Sequence, residues 1–98
     1  MPVALVQLDV FLPAAASLKD RRQALRSTKD RLRHDFNVSV AELDPDDQQV
    51  LWQRATLGIC AIAADRHYLE GQLQLAANAA LRHLAGQEVS VGPIEFLD

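Results

Sequence analysis

The chain has 98 residues, 49% of them hydrophobic, with 10 basic and 13 acidic side chains and a formal net charge of −3. That is enough material for one hydrophobic core and too little for two, so a single domain over residues 1–98 is expected. An acidic chain is not built to bind nucleic acid over its whole surface, and no apolar run is long enough to span a membrane, so any polyanion contact must be local.

Val3 to Leu12 reads as a strand, because Ala4, Val6, Leu8, Val10 and Leu12 fall on one face while Gln7 and Asp9 interrupt the other. Pro13 ends it. Ser17 with Asp20 forms a capping-box pattern, and Leu18, Leu25, Thr28 and Leu32 then recur at helical spacing, which predicts a helix to about Asp35. Phe36 to Leu43 alternates again and reads as a second strand. Asp44 to Val50, with its proline and three acids, reads as an exposed turn or loop. Gln53 to Ala64 is nearly continuously apolar, the pattern of a central strand. Asp65 can cap a second helix with Leu69, Leu73, Ala76, Ala77, Ala80, Leu81 and Leu84 as its buried stripe, stopped by Gly86. "VSVGPIEFL" reads as a last strand, and its Gly92 and Pro93 call for an edge position.

The order β-α-β-β-α-β predicts an α+β, ferredoxin-like domain, a four-stranded antiparallel sheet with both helices on one face.

Charge is distributed unevenly along this frame. Ser17 to His34 carries seven basic residues against two acidic ones, or +5, so the remainder of the chain carries −8. At about 100° per residue, Lys19, Arg22, Arg26, Lys29 and Arg33 share one side of the first helix, a stripe roughly 21 Å long. It borders the apolar face, where the stems can rest on the domain and the heads point along its flank. The plain alternative is a solvated helix face, since basic residues are good helix formers. Against it, the one carboxylate four residues from a stripe member is Asp30, after Arg26, and Lys19 sits at the helix end where the dipole disfavours a cation.

The fold places Lys19, Arg21, Arg22, Glu42, Trp52 and Arg54 near one pole. Arg21 projects toward the apolar side and Glu42 shares a face with Val38 and Val40, so an Arg21–Glu42 ion pair is expected at the core rim. Trp52, the one tryptophan, is expected as a lid over the core, as a stacking residue beside Arg54, or as both. The open sheet face, with Leu5, Phe11, Ala41 and Leu43 among polar residues and no aromatic on the third strand, suits packing on a second copy, so a homodimer is expected.

Other chemistry is thinly represented. His34, His67 and His83 have no spacing suited to a shared metal, and there is no glycine-rich phosphate loop, nucleophile elbow or carboxylate pair in a cleft. No enzyme activity, cofactor, metal or small-molecule substrate is expected. The sequon Asn37-Val38-Ser39 lies in a predicted strand. Cys60, the one cysteine, reads as a small buried filler with no disulfide partner, and with no signal-peptide pattern at the N-terminus a cytoplasmic location is expected.

The stretches "LPAAASLKDRRQALRSTKDRLRHDFNVSVAEL" and "LWQRATLGICAIAADRHYLE" resemble the YlxP-like family of small bacterial proteins, a domain of unknown function. The resemblance covers Val3 to Leu84, and the pieces SLK, NVSVAE and LWQRATLG carry it through Ser17, Leu18, Lys19, Arg22, Asn37, Ser39, Glu42, Trp52, Arg54 and Gly58. It implies a ferredoxin-like fold. The family's genes often lie beside those for translation initiation and ribosome maturation, which implies a ribosome-linked role, while no catalytic residues are established to carry over. The loop Pro45 to Val50 is longer and more acidic than the family's pattern.

Two readings follow. In the first, a non-enzymatic factor contacts RNA, ribosomal RNA or a ribosomal subunit, through Lys19, Arg22, Arg26, Lys29 and Arg33 together with Trp52 and Arg54. In the second, a protein-interaction module, homodimeric through its open sheet face, has no nucleic-acid partner.

Overall fold

The alternation from Ala4 to Leu12 shapes the first strand of the structure, a computed structural model that describes residues 2–13, 16–43 and 53–97, with Leu18 described by its backbone alone. This strand, β1, is Val3–Phe11. Its even-numbered residues Ala4, Val6, Leu8 and Val10, with Leu12 beyond it, are exposed by 2% or less. Each fully buried side chain of leucine size contributes about 1.5–3 kcal/mol of transfer free energy.

Helix α1 is Leu18–Asp35. The Ser17 hydroxyl accepts from the Asp20 amide at 3.2 Å, and the Asp20 carboxylate accepts from the Ala16 amide at 3.0 Å. One amide of the first turn and one just before the cap are thereby satisfied, and a negative charge sits at the positive end of the helix dipole.

Strand β2 is Ser39–Glu42, shorter at its start than the Phe36–Leu43 expectation. Phe36 instead serves as the C-cap of α1, its amide donating to the Leu32 carbonyl at 3.0 Å. Strand β3 is Arg54–Ile62 and helix α2 is Arg66–His83, capped by Asp65, whose carboxylate accepts from the His67 amide at 3.1 Å. Leu81, expected in the buried stripe of α2, is 37% exposed. At about 100° per residue it falls roughly 40° outside the arc that runs from Ala76 through Leu69 and Leu73 to Ala77.

The last strand is not continuous. It divides into β4, Glu88–Val91, and β5, Glu95–Phe96, both antiparallel to β1. Leu8 pairs with Val91 whereas Leu5 pairs with Glu95, so one extra residue is accommodated between them. The Gly92 amide still donates to Gln7 O at 2.8 Å, and Pro93, which has no N–H, occupies the bulge on the outer edge.

The sheet order is β2-β3-β1-β4, with β5 also on β1. All pairings are antiparallel. This is a ferredoxin-like α+β fold with α1 and α2 on one face. The core joins Leu25, Thr28 and Leu32 of α1 and Leu69, Leu73, Ala76 and Ala80 of α2 to the inward residues of β1 and β3. The small side chains of α2 let that helix lie close to the sheet. Ser27 Oγ and His83 Nε2, 2.9 Å apart, tie the two helices together at the surface.

Candidate functional site

Because α1 is one unbroken helix, Lys19, Arg22, Arg26, Lys29 and Arg33 stand on one side of it, beside the buried line of Arg21, Leu25, Thr28 and Leu32. Lys19, Arg22, Arg26 and Arg33 are exposed and Lys29 is half-buried. Lys19, Arg22, Arg26 and Lys29 make no ion pair or hydrogen bond with another described residue through their side chains.

Arg33 differs from the other four. Its Nη2 donates to the Val40 carbonyl, and its Nη1 lies 3.6 Å from Asp30 Oδ1. Asp30 stands four residues after Arg26, but its carboxylate meets Arg33, three residues on. Val40 O points outward from β2, an outer strand of the sheet, because Ser39, Ala41 and Leu43 alternate with it, and the Leu43 amide donates to Thr56 O on β3. Arg33 thus covers part of the sheet edge. Arg31 lies off the stripe, 3.9 Å from Asp35.

Arg21 and Glu42 meet beneath the stripe, Arg21 Nε being 3.4 Å from Glu42 Oε1, with Arg21 3% and Glu42 20% exposed. A guanidinium this far from water requires an acceptor, and the contact pins the start of α1 to β2.

Trp52 and the acidic loop from Asp44 to Val50 lie outside the described residues. Arg54 begins β3 and pairs with Phe11, at the end of the sheet where α1 starts. Its neighbour Ala55 is buried toward the helices, so Arg54 faces the open side, with its guanidinium carbon over the Phe11 ring, 5.1 Å from the centroid. The stripe and Arg54 share a pole but stand on opposite faces of the domain. Strand alternation assigns Phe11 and Asp9 to one face; setting Arg54 and Thr56 beside them requires the β1–β3 register, which periodicity does not contain.

The same open face carries Val3, Leu5, Cys60 and Ile62 toward its other end. Ile62 is 56% and Leu43 38% exposed, and Leu43 lies across Gly58, where a Cβ would come within 2.7 Å of its Cδ1.

His34 Nδ1 lies 2.9 Å from Asp35 Oδ1. That hydrogen bond holds the Asp35 carboxyl below its ordinary value of 3.8 against the opposing effect of desolvation, with the charge of Arg31 adding to the lowering. Among the described residues no group of three or more His, Cys, Asp and Glu is placed to hold a metal ion, and no helix is long and apolar enough to cross a membrane.

In overall shape the domain is similar to the designed protein LFR1 1 with ferredoxin fold, at 13% identity and a TM-score of 0.60, over 94% of this chain and 84% of that one. It is also similar to a C-terminal segment of the alpha subunit of aIF2 from Pyrococcus abyssi, at 21% identity and a TM-score of 0.56. That match covers 91% of this chain but 48% of the segment, so the domain spans about half of that relative. Likeness at these identities is one of fold.

Sequence gives a closer relation. The uncharacterized protein YlxP of Bacillus subtilis (strain 168) is 32% identical over 72 residues, which is 74% of this chain and 75% of that protein. Residues 3–91 match the family described as protein of unknown function (DUF503), and the chain therefore belongs to that family, with YlxP as a relative.

Proposed function

We propose that this protein is a cytoplasmic, non-enzymatic factor that contacts RNA, ribosomal in origin, through the exposed side of α1. The supporting observation is the set of basic heads on Lys19, Arg22, Arg26 and Lys29, aligned on one helix face without partners among the described residues, in a chain whose remaining segments are strongly acidic. Such a surface attracts a polyanion locally while the rest of the molecule repels it. Arg33 contributes charge to this field, but its head is engaged with Val40 and Asp30. The genomic neighbourhood implied by the YlxP-like resemblance supports the choice of ribosomal RNA. Arg54 belongs to the same proposal as a flanking contact at the pole, and Trp52, outside the described residues, is proposed with it from its place in the sequence alone.

The test is a binding titration against ribosomal subunits and single-stranded RNA at several salt concentrations. Four phosphate contacts imply a log-log slope near −2.8, from ~0.7 per contact. Replacing Arg22 and Arg26 by alanine should bring the slope to about −1.4. Unchanged affinity in that variant would overturn the reading.

A second reading is favoured by the exposure of Ile62 and Leu43 on the open sheet face, 56% and 38%. We propose it as a surface for pairing two copies of the chain, with the basic helix serving an acidic protein partner. Sedimentation equilibrium should then report a dimer that Ile62→Lys dissociates, and salt should weaken partner binding far less steeply.

A further inference from the structure

The open face of the sheet carries a depression unrelated to the stripe on α1. β1 contributes Asp9 and Phe11, β3 Arg54 and Thr56, and β4 Glu88 and Ser90. The volume is about 370 Å³, within the ~300–1,000 Å³ range of small-ligand sites. Two features shape its chemistry.

On one side, the Arg54 guanidinium is held over the Phe11 ring and makes no hydrogen bond or ion pair with another described residue. A guanidinium supported in this way offers a flat cationic platform to a second flat group. On the other side, Thr56 Oγ1 donates to Asp9 Oδ1 at 3.0 Å. This orients the carboxylate and leaves Oδ2 and the second lone pair of Oδ1 available as acceptors. Glu88 adds a second carboxylate at the rim.

A ligand here meets a cation on one side and two carboxylates on the other. A free phosphate is repelled by the acids and an organic cation by Arg54. A neutral flat ring with donors along one edge suits both sides. We infer that this depression is a nucleobase site, in which a base with an amino-bearing edge stacks on Arg54 and donates to Asp9. Guanine fits best, because its N1–H and N2–H donors lie side by side and match the paired oxygens of a carboxylate. Uracil, with carbonyl acceptors flanking its single N–H, fits worst. Single-stranded RNA is commonly read in this manner, by stacking on aromatic or arginine planes with hydrogen bonds to the exposed edge.

The inference deepens the RNA reading and rests on it for the strand that carries the base. Phe11 and Arg54 stand at the end of the sheet where α1 begins, so a strand with phosphates on Lys19 and Arg22 has only to turn that end to place a base on the open face.

The experiment uses the full chain and four RNA oligonucleotides that differ in one base, G, A, C or U, within a fixed context, measured by fluorescence anisotropy at several salt concentrations. Arg54 and Asp9 are exposed, so Arg54→Ala and Asp9→Asn should retain the native circular dichroism and melting transition. Arg54→Ala should weaken binding about tenfold with the salt slope unchanged, the loss expected for one stacked base. Asp9→Asn should abolish the preference for guanine over uracil while leaving uracil binding as it was. Arg22→Ala with Arg26→Ala should lower the salt slope and keep the base preference.

If Arg54→Ala and Asp9→Asn bind all four oligonucleotides as the parent does, the nucleobase site is overturned and the RNA reading stands. If the parent binds none of them, the RNA reading falls, and guanosine 5′-monophosphate decides the site by NMR. Amide shifts confined to Asp9, Phe11, Thr56 and Ser90 would support a free-nucleotide site, whereas unshifted amides, or a dimer that covers this face, would overturn it.

Discussion

Arg21, 3% exposed, places its Nε 3.4 Å from Oε1 of Glu42, so a charge on the buried side of α1 is answered by a charge on β2. Removing one partner of such a pair takes away a contact that compensates the other's buried charge, while replacing both by apolar groups of similar volume is close to neutral. Glu42→Ala should therefore destabilise the protein by about 2–3 kcal/mol, tempered by the partial exposure of Glu42. Arg21→Met combined with Glu42→Leu should lie within about 1 kcal/mol of the parent. Urea unfolding of both variants decides the matter, and equal losses in the two would contradict this account.

Thr28 offers the opposite case. Its side chain is fully buried in α1, and Oγ1 has no hydrogen-bond partner among the described residues. An unsatisfied buried hydroxyl costs about 1–3 kcal/mol. Thr28→Val keeps the shape and removes the polar atom, so the melting temperature should rise by about 4–8 °C per kcal/mol recovered in a domain of this size. A fall in melting temperature would mean that the hydroxyl is satisfied in solution.

Two glycines should respond to alanine with opposite sign. Gly71 lies inside α2 and a Cβ there meets nothing within 4 Å. Gly71→Ala should stabilise by about 0.5–1 kcal/mol through helix propensity. Gly86, just past α2, has φ +96, a conformation alanine adopts only with strain. Gly86→Ala should cost about 1 kcal/mol or more. Calorimetry of the two variants should show transitions displaced in opposite directions.

Arg33 differs from its neighbours on the stripe in being occupied by the Val40 carbonyl and by Asp30. Arg33→Ala should lower stability by about 1–2 kcal/mol, toward the low end for a charged hydrogen bond because the side chain is 49% exposed. It should also uncover the outer edge of β2 and increase self-association. Its salt slope for RNA should stay at the parent value, whereas Arg22→Ala should reduce the slope by ~0.7. Identical slopes for the two variants would place Arg33 among the phosphate contacts instead.

Asp35 is held below its ordinary value of 3.8 by the His34 hydrogen bond and the charge of Arg31. A carboxyl lowered on folding contributes stability that is fully present above its unfolded value and is lost as pH falls through the depressed midpoint. The contribution of Asp35 should therefore disappear only below about pH 3.8. A carbon-detected NMR titration should give a midpoint under 3.8, and His34→Ala should move it upward. A midpoint that ignores His34→Ala would remove the hydrogen bond as the cause.

Much of this protein follows from local pattern. Period-two alternation places Ala4, Val6, Leu8 and Val10 inside, helical spacing does the same for Leu25, Thr28 and Leu32, and Ser17 and Asp65 mark the helix starts by the shape of their side chains alone. The stripe on α1 is legible for the same reason: helical geometry relates residues three and four apart without reference to any other element. Proximity between elements is a different matter. That Arg33 reaches Val40, that Arg54 turns to the open face against Phe11, and that the last strand divides at Pro93 all depend on register and packing. Period and propensity act within a few residues of chain, whereas these contacts join residues whose separation along the chain is erased only when the sheet closes and the helices settle on it. The sequence by itself determined the elements, their inward faces and the charge on one helix; the tertiary structure alone decided which of those charges remain available to a partner.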